Sequence, residues 1–184
     1  MKGHTKHMWD EKKLLYRVQV YKDADAYATI YDLYIEKIYR FVLFKISNVQ
    51  EAEDITSDTF LKTWQYLTVR KRNIKSISGL LYKIARNAVI DAYRNKGKNE
   101  TYSIEHAHTL PCKANQDAIE VKQEVDALLI SIKRLKQEYQ EAVLLRYVEE
   151  LSIAEVAEII GKSNASVRVL LHRAIKKLHS IHEE

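Results

Sequence analysis

The chain predicts an all-α protein: two small helical domains joined by a flexible linker, the C-terminal one a helix-turn-helix. Three observations carry this. The 184 residues include only four Gly and one Pro, the residues that turn strands and break helices. Apolar residues recur at spacings of three and four almost throughout, and few stretches alternate as half-buried strands do. Charge is sorted by sign along the chain, with a polar segment near the middle that lacks periodicity.

The first domain is expected over 14–98. In DADAYATIYDLYIEKIYRFVLFKI, Asp23 or Asp25 can cap a helix start. Ile30, Leu33, Tyr34, Ile38, Phe41, Val42 and Ile46 then form a stripe facing a core. The next helix, QEAEDITSDTFLKTWQYL, turns Ile55, Phe60, Leu61 and Trp64 inward and sets Asp54, Ser57, Asp58 and Lys62 on another face. A basic loop, VRKRNIKSIS, leads to GLLYKIARNAVIDAYRNKGK. There Leu81, Ile84, Ala85, Ala88 and Ala92 form the inner stripe, while Lys83, Arg86, Asn87, Ile90 and Arg94 line the opposite side.

Residues 99–120 are polar and contain the single proline, which marks a linker. Extended, about 20 residues span roughly 60 Å, enough to let the two domains sit well apart. The second domain is expected over 121–182. Val121, Val125, Leu128, Ile132 and Leu135 recur at helical spacing. Ser152 and Glu155 form an S-x-x-E capping box, flanked by Leu151 and Val156 at the positions of a hydrophobic staple. Gly161 suits the left-handed residue that ends a helix, and Ser163 can cap the next. A short helix, a turn and a second helix, SVRVLLHRAIKKL, make a helix-turn-helix.

The charge pattern says what that last helix is for. The net charge of +5 divides into +8 over 1–98, −3 over 99–120 and zero over 121–184. Lys62 to Lys98 holds ten basic residues and one acid, Asp91, and no carboxylate occurs from Lys162 to Ile181. Two basic patches joined by an acidic spacer fit two contacts on one polyanion. Solubility charge is the plainer explanation, but solubility does not require segregation by sign. On the last helix Val167, Leu171, Ala174, Ile175 and Leu178 fall on one side, leaving a basic side to enter a major groove. Arg168, Arg173, Lys176 and Lys177 can neutralise phosphates, and Asn164, Ser166 and Arg168 can reach base edges.

Other function classes find little support. Nucleophile elbows, phosphate-binding glycine loops, paired carboxylates and metal-spaced His/Cys sets are missing, which argues against an enzyme or a cofactor protein. His4 and His7 lie in a start expected to be disordered, and His106 and His108 lie in the linker. The lone Cys112 excludes an internal disulfide and a cysteine-based zinc site. No apolar run approaches the roughly 20 residues that span a bilayer, and the start has no signal-peptide core. A soluble, cytoplasmic protein is expected.

LSIAEVAEIIGKSNASVRVLLHRAIKKL resembles the C-terminal DNA-binding region of extracytoplasmic-function (ECF) sigma factors, and EAEDITSDTFLKTW followed by GLLYKIARNAVIDAYRNK resembles their N-terminal region. The two stand in the family's order, with a linker of the expected size. The resemblance implies an alternative sigma subunit that binds RNA polymerase core, through the β′ clamp and the β flap, and directs promoter recognition and melting. Asp54, Ser57, Asp58 and Thr59 would then meet a basic coiled coil of β′. Arg70, Lys71, Arg72 and Lys75 would line the path of the melted non-template strand. Lys83, Arg86, Asn87, Ile90 and Arg94 would touch backbone or an extruded base of the −10 element, with Tyr66, Tyr82 and Tyr93 as candidate stacking partners beside their more ordinary role in packing. Asn164, Ser166, Arg168, His172, Arg173, Lys176 and Lys177 would face the −35 duplex. The family's habit of inhibition implies an anti-sigma partner, often membrane-anchored in that family, and no small-molecule substrate. Ser57 stands where a Gln is common, Leu80 where a Trp is, Lys162 and Asn164 where small apolar residues are, and Leu170 where a basic residue is. A two-domain helix-turn-helix regulator acting without polymerase core is the competing reading; it gives no reason for a DITSDTF helix beside a basic one.

Overall fold

The computed structural model describes residues 3–69, 74, 76–96 and 127–182. The chain divides into two compact units, Met1–Tyr102 and Ser103–Glu184. Among the described residues the only regular structure is helical.

The first unit holds α1 (Gly3–Tyr21), α2 (Ala24–Ile46), α3 (Val49–Val69) and α4 (Ile77–Lys96). Helix α2 is the hub: α1, α3 and α4 all pack on it, and α3 also meets α4. Its start is capped by Asp23, whose side chain accepts from the Ala26 N–H at 3.0 Å and from Arg17 Nε at 2.8 Å. Those two donors, the Ala26 amide first, hold the Asp23 carboxyl below its ordinary value. Ser47, in the left-handed region at φ 57°, ends the helix by donating its N–H to Leu43. Between these caps Ile30, Tyr34, Ile38, Phe41 and Val42 are buried. Each such side chain contributes about 1.5–3 kcal/mol through removal from water.

Helix α3 faces this core with an unusual stripe. Thr56, Thr59 and Thr63 are all buried, and each hydroxyl donates to the carbonyl four residues earlier, at 2.6, 2.7 and 2.8 Å. That back-bonding satisfies the hydroxyl inside an apolar interface without help from a neighbouring helix. Phe60 and Leu67 complete the buried side. The Tyr27 hydroxyl donates to the Phe60 carbonyl, and its ring meets Trp64 edge-on at 5.0 Å, so α2 and α3 are also locked at their wet margin. Helix α4 begins at Ser76, whose Oγ accepts from the Gly79 N–H at 3.1 Å.

The second unit contains α5 (helical over 127–133), α6 (Gln137–Val143), a π turn (Leu144–Val148), α7 (Ile153–Ile160) and α8 (Asn164–His182). Gln140 ties α5 to α6 by donating from one amide nitrogen to the carbonyls of Lys133 and Leu135. Val143, Leu144, Leu145, Val156, Ile159, Val167 and Leu171 form the core. The π turn ends where Leu151 donates its N–H to Leu145 and Arg146 Nη1 donates to the Leu151 carbonyl. That closure buries Leu151 ahead of α7, and Val156, its staple partner by position, is buried as well.

Several expectations change. The start of the chain is helical from Gly3 rather than disordered, upstream of the expected boundary at Leu14. Leu33, Leu61 and Leu128 are exposed rather than core-facing. Leu33 sits on the flank of α2, one step round from the Ile30–Tyr34–Ile38 line. Leu61 shares the outward face of Asp54, Ser57 and Asp58. On α4 the core side is Ile77, Leu81, Tyr82, Ala85 and Val89, while Ile84, Ala88 and Ala92 are half-buried. Tyr82 takes the central place because its ring packs edge-on against Phe41 at 5.4 Å. The linker 99–120 and the stretch from Val121 to Val125 lie outside the described residues.

Candidate nucleic-acid interface

The helix-turn-helix is assembled as its caps require. Ser152 Oγ accepts from the Glu155 N–H at 3.2 Å, and the Glu155 carboxylate accepts from the Ser152 N–H at 2.9 Å, which completes the capping box. Gly161 closes α7 at φ 69°, a conformation that a Cβ disfavours. The chain reverses through Lys162 and Ser163, and Ser163 Oγ accepts from the Ser166 N–H at 3.1 Å to start α8.

Helix α8 divides into two faces. Val167, Leu171, Ala174 and Ile181 are buried against the preceding helices, with Leu170, Ile175 and Leu178 at the edges. Asn164, Ser166, Arg168, His172, Arg173, Lys176 and Lys177 are exposed. The structure thus gathers the seven candidates from this helix on one outward surface. A groove of about 770 Å³ runs beside them, between the start of α6 and α8. Lys136, Lys162 and Arg173 line it, and its acid, Glu138, pairs with Lys162 at 3.3 Å.

Sequence reasoning missed two kinds of residue here. Ala165 and Val169 are exposed among the cations of α8; a helical wheel shows this, but a search for charge passes over them. Lys136 reaches the groove from another element, which only the tertiary packing reveals.

In the first unit, Lys83, Asn87 and Arg94 are exposed along one side of α4, with Arg86 and Ile90 half-buried beside them. They lie opposite the buried Leu81, Ala85 and Val89. Asp91, the acid within this basic stretch, approaches Arg94 at 3.6 Å. Arg70, Lys71, Arg72 and Lys75 fall outside the described residues. Of the candidate stacking rings, Tyr82 is taken by the core and the Tyr93 hydroxyl donates to the Lys45 carbonyl, while Tyr66 is half-buried.

The acidic face of α3 is only partly as expected. Asp54 and Ser57 are exposed, and Asp58 pairs with Lys62 at 2.6 Å. Thr59 is a correction: it is 0% exposed and its hydroxyl is bonded to the Ile55 carbonyl, so its side chain belongs to the core. Leu61 takes its place on the outward side, 56% exposed. Among the described residues no cluster of His, Cys, Asp or Glu could hold a metal ion, and no helix is long and apolar enough to cross a membrane.

The described residues thus place a basic helix-turn-helix face in one unit and a basic stripe with an acidic face in the other. The Sigma-70 region 2 family model matches residues 30–99, and the Sigma-70, region 4 model matches residues 126–178. The chain is 30% identical over 162 residues to the ECF RNA polymerase sigma factor BldN of Streptomyces coelicolor, covering 85% of this chain and 60% of that protein. It is 31% identical over 167 residues to the ECF RNA polymerase sigma factor SigW of Bacillus subtilis, covering 85% of this chain and 88% of that one. In fold it is similar to the sigma factor RpoE from Bartonella quintana, solved in complex with the anti-sigma factor NepR. The TM-score is 0.71 at 19% identity, over 85% of this chain and 96% of the other. The chain belongs to the ECF RNA polymerase sigma factors, the alternative sigma subunits that direct transcription initiation.

Proposed function

We propose that the two units divide promoter recognition between them, without chemistry of their own and in the cytoplasm. The single observation that carries this reading is the acid-free, outward face of α8 set on a capped helix-turn-helix. In this reading α8 lies in the major groove of the −35 element. Arg168, Arg173, Lys176 and Lys177 neutralise phosphates, with Lys136 and Lys162 following the backbone along the groove beside α8. Asn164, Ser166 and His172 face base edges.

The stripe of Lys83, Arg86, Asn87, Ile90 and Arg94, with Arg70, Lys71, Arg72 and Lys75 before it, holds the melted −10 strand. Unstacked bases and close phosphates are what a basic helix can bind better than duplex, so binding free energy is placed on the open form. Asp54, Ser57 and Asp58 dock on a basic surface of polymerase core, around the exposed Leu61, which supplies the apolar centre that a charged face by itself lacks. Asp58 exchanges its Lys62 partner on docking. An anti-sigma protein that covers one of these surfaces is the expected inhibitor; that the similarly folded RpoE is held by NepR supports this.

The test separates the two contacts. Replacing Arg168 and Arg173 together with Ala should cut transcription from a −35-dependent promoter by tenfold or more while core binding is kept, from the loss of two charge-assisted contacts at about 1–3 kcal/mol each. Replacing Asp54 and Asp58 with Lys should abolish core binding in a pull-down. Loss of core binding in the arginine variant would overturn the division.

A further inference from the structure

The exposed face of α8 carries apolar side chains among its cations. At about 100° per residue, with Arg168 as zero, Arg173 lies about 140° round the helix. Between them fall His172 at about 40°, Ala165 at about 60°, Lys176 at about 80° and Val169 at about 100°. Val169 is 50% exposed, and the side buried by the rest of the unit is the opposite one, that of Val167, Leu171 and Ala174. A β-branched apolar residue in the middle of an exposed helix gains nothing from helix propensity, so its position asks for a partner. Val169 also lines the groove beside α8, together with Ala165, Leu170 and Tyr139.

We infer that Val169 reads the 5-methyl group of a thymine in the −35 duplex, with Ala165 one turn earlier letting the helix approach closely. The inference rests on the reading of α8 as the element that enters the major groove. Valine can neither donate nor accept a hydrogen bond. Of the four bases only thymine presents an apolar group in the major groove; the others present donors and acceptors that a valine would desolvate without satisfying. The flanking Arg168 and Arg173 fix the helix on the phosphates of the two strands, which sets the central side chain toward base edges rather than backbone. Position 169 therefore selects a T·A pair by contact and disfavours a C·G pair by lost apolar contact and an unsatisfied cytosine amine.

The probe is a duplex selected from a randomised pool by holoenzyme made from the full chain and polymerase core. Each thymine upstream is then replaced in turn by uracil, which removes one methyl group and leaves the hydrogen-bonding edge unchanged. Holoenzyme should lose about three- to fourfold in affinity at one position, the value expected for one buried methyl. Val169→Ala should bind the thymine and uracil duplexes alike at that position. Val169→Thr, which keeps a methyl, should retain most of the discrimination. Both substitutions are at an exposed site, and circular dichroism of the full chain checks that helix content is unchanged. Two results would overturn the inference and leave the major-groove reading standing: no thymine at which uracil matters, or equal thymine preference in Val169→Ala. Selection of no upstream duplex at all would remove the major-groove reading, and this inference with it. Cross-linking of position 169 to a polymerase subunit instead of DNA would make Val169 a protein contact and overturn the inference as well.

Discussion

At the scale of single residues, caps do much of the work of setting boundaries. Ser152 and Gly161 bracket α7, and each makes a separable contribution. Ser152→Ala removes the acceptor for the Glu155 N–H and should cost about 1 kcal/mol. Gly161→Ala meets no atom within 4 Å, so its cost of about 1 kcal/mol would come from the positive φ alone, and Gly161→Asn should recover much of it. Urea unfolding of the full chain, read at the helical signal, checks both. Asp23 has a pH signature. Its carboxyl is held below the ordinary 3.8 by the Ala26 N–H and then by Arg17. A depressed folded value means that ionised Asp23 favours the folded state above the unfolded value and stops doing so as the pH falls through the folded one. Asp23→Asn keeps a capping oxygen but has no charge to lose, so its unfolding midpoint should depend less on pH in the acid range than that of the parent chain. Residue chemistry of this kind is legible in sequence because a cap acts on amides two or three positions away. The role of Thr59 was not legible. Whether a threonine on α3 faces solvent or back-bonds inside the core depends on which side α2 and α4 cover.

At the scale of elements, periodicity located the helices well and their faces less well. The stripe of α2 follows the expected Ile30–Tyr34–Ile38 spacing because one long helix meets three neighbours and must bury a broad face. On α4 the inner side turned toward Tyr82 and Val89. The alanines at 88 and 92 are small enough to fit on either side, so hydropathy does not choose between the two registers. Leu61 shows the converse: an apolar residue read as core sits outside, on the same face as Asp54 and Asp58. For α8 the expected two-faced pattern is present, and it supports a prediction about phosphates. Lys176→Ala with Lys177→Ala should flatten the slope of log affinity against log salt by about 2, one unit for each lost phosphate contact, with little change in sequence preference. Titration of holoenzyme with a −35 duplex at several salt concentrations gives the slope. A slope unchanged by the double substitution would place these lysines away from the backbone.

At the scale of the whole molecule, each of two units of the Sigma-70 type carries a basic surface, and the first carries an acidic face as well. If the units bind separate promoter elements as proposed, a chain with Arg168→Ala and Arg173→Ala should still compete with the parent chain for polymerase core while failing to support initiation. A competition assay with limiting core reads both properties at once. The sequence by itself determined the helical class, the order of the two units, the capping box, the ending of α7 at Gly161 and the sorting of charge. All of these depend on residues within a few positions of one another or on composition. Only the tertiary structure decided that Thr59 is core and Leu61 surface, that Tyr82 packs on Phe41 rather than serving as a stacking ring, and that Lys136 joins the groove beside α8. Burial of that kind is set by which distant helix covers which face, and a pattern along one strand of sequence carries no record of the neighbour that does the covering.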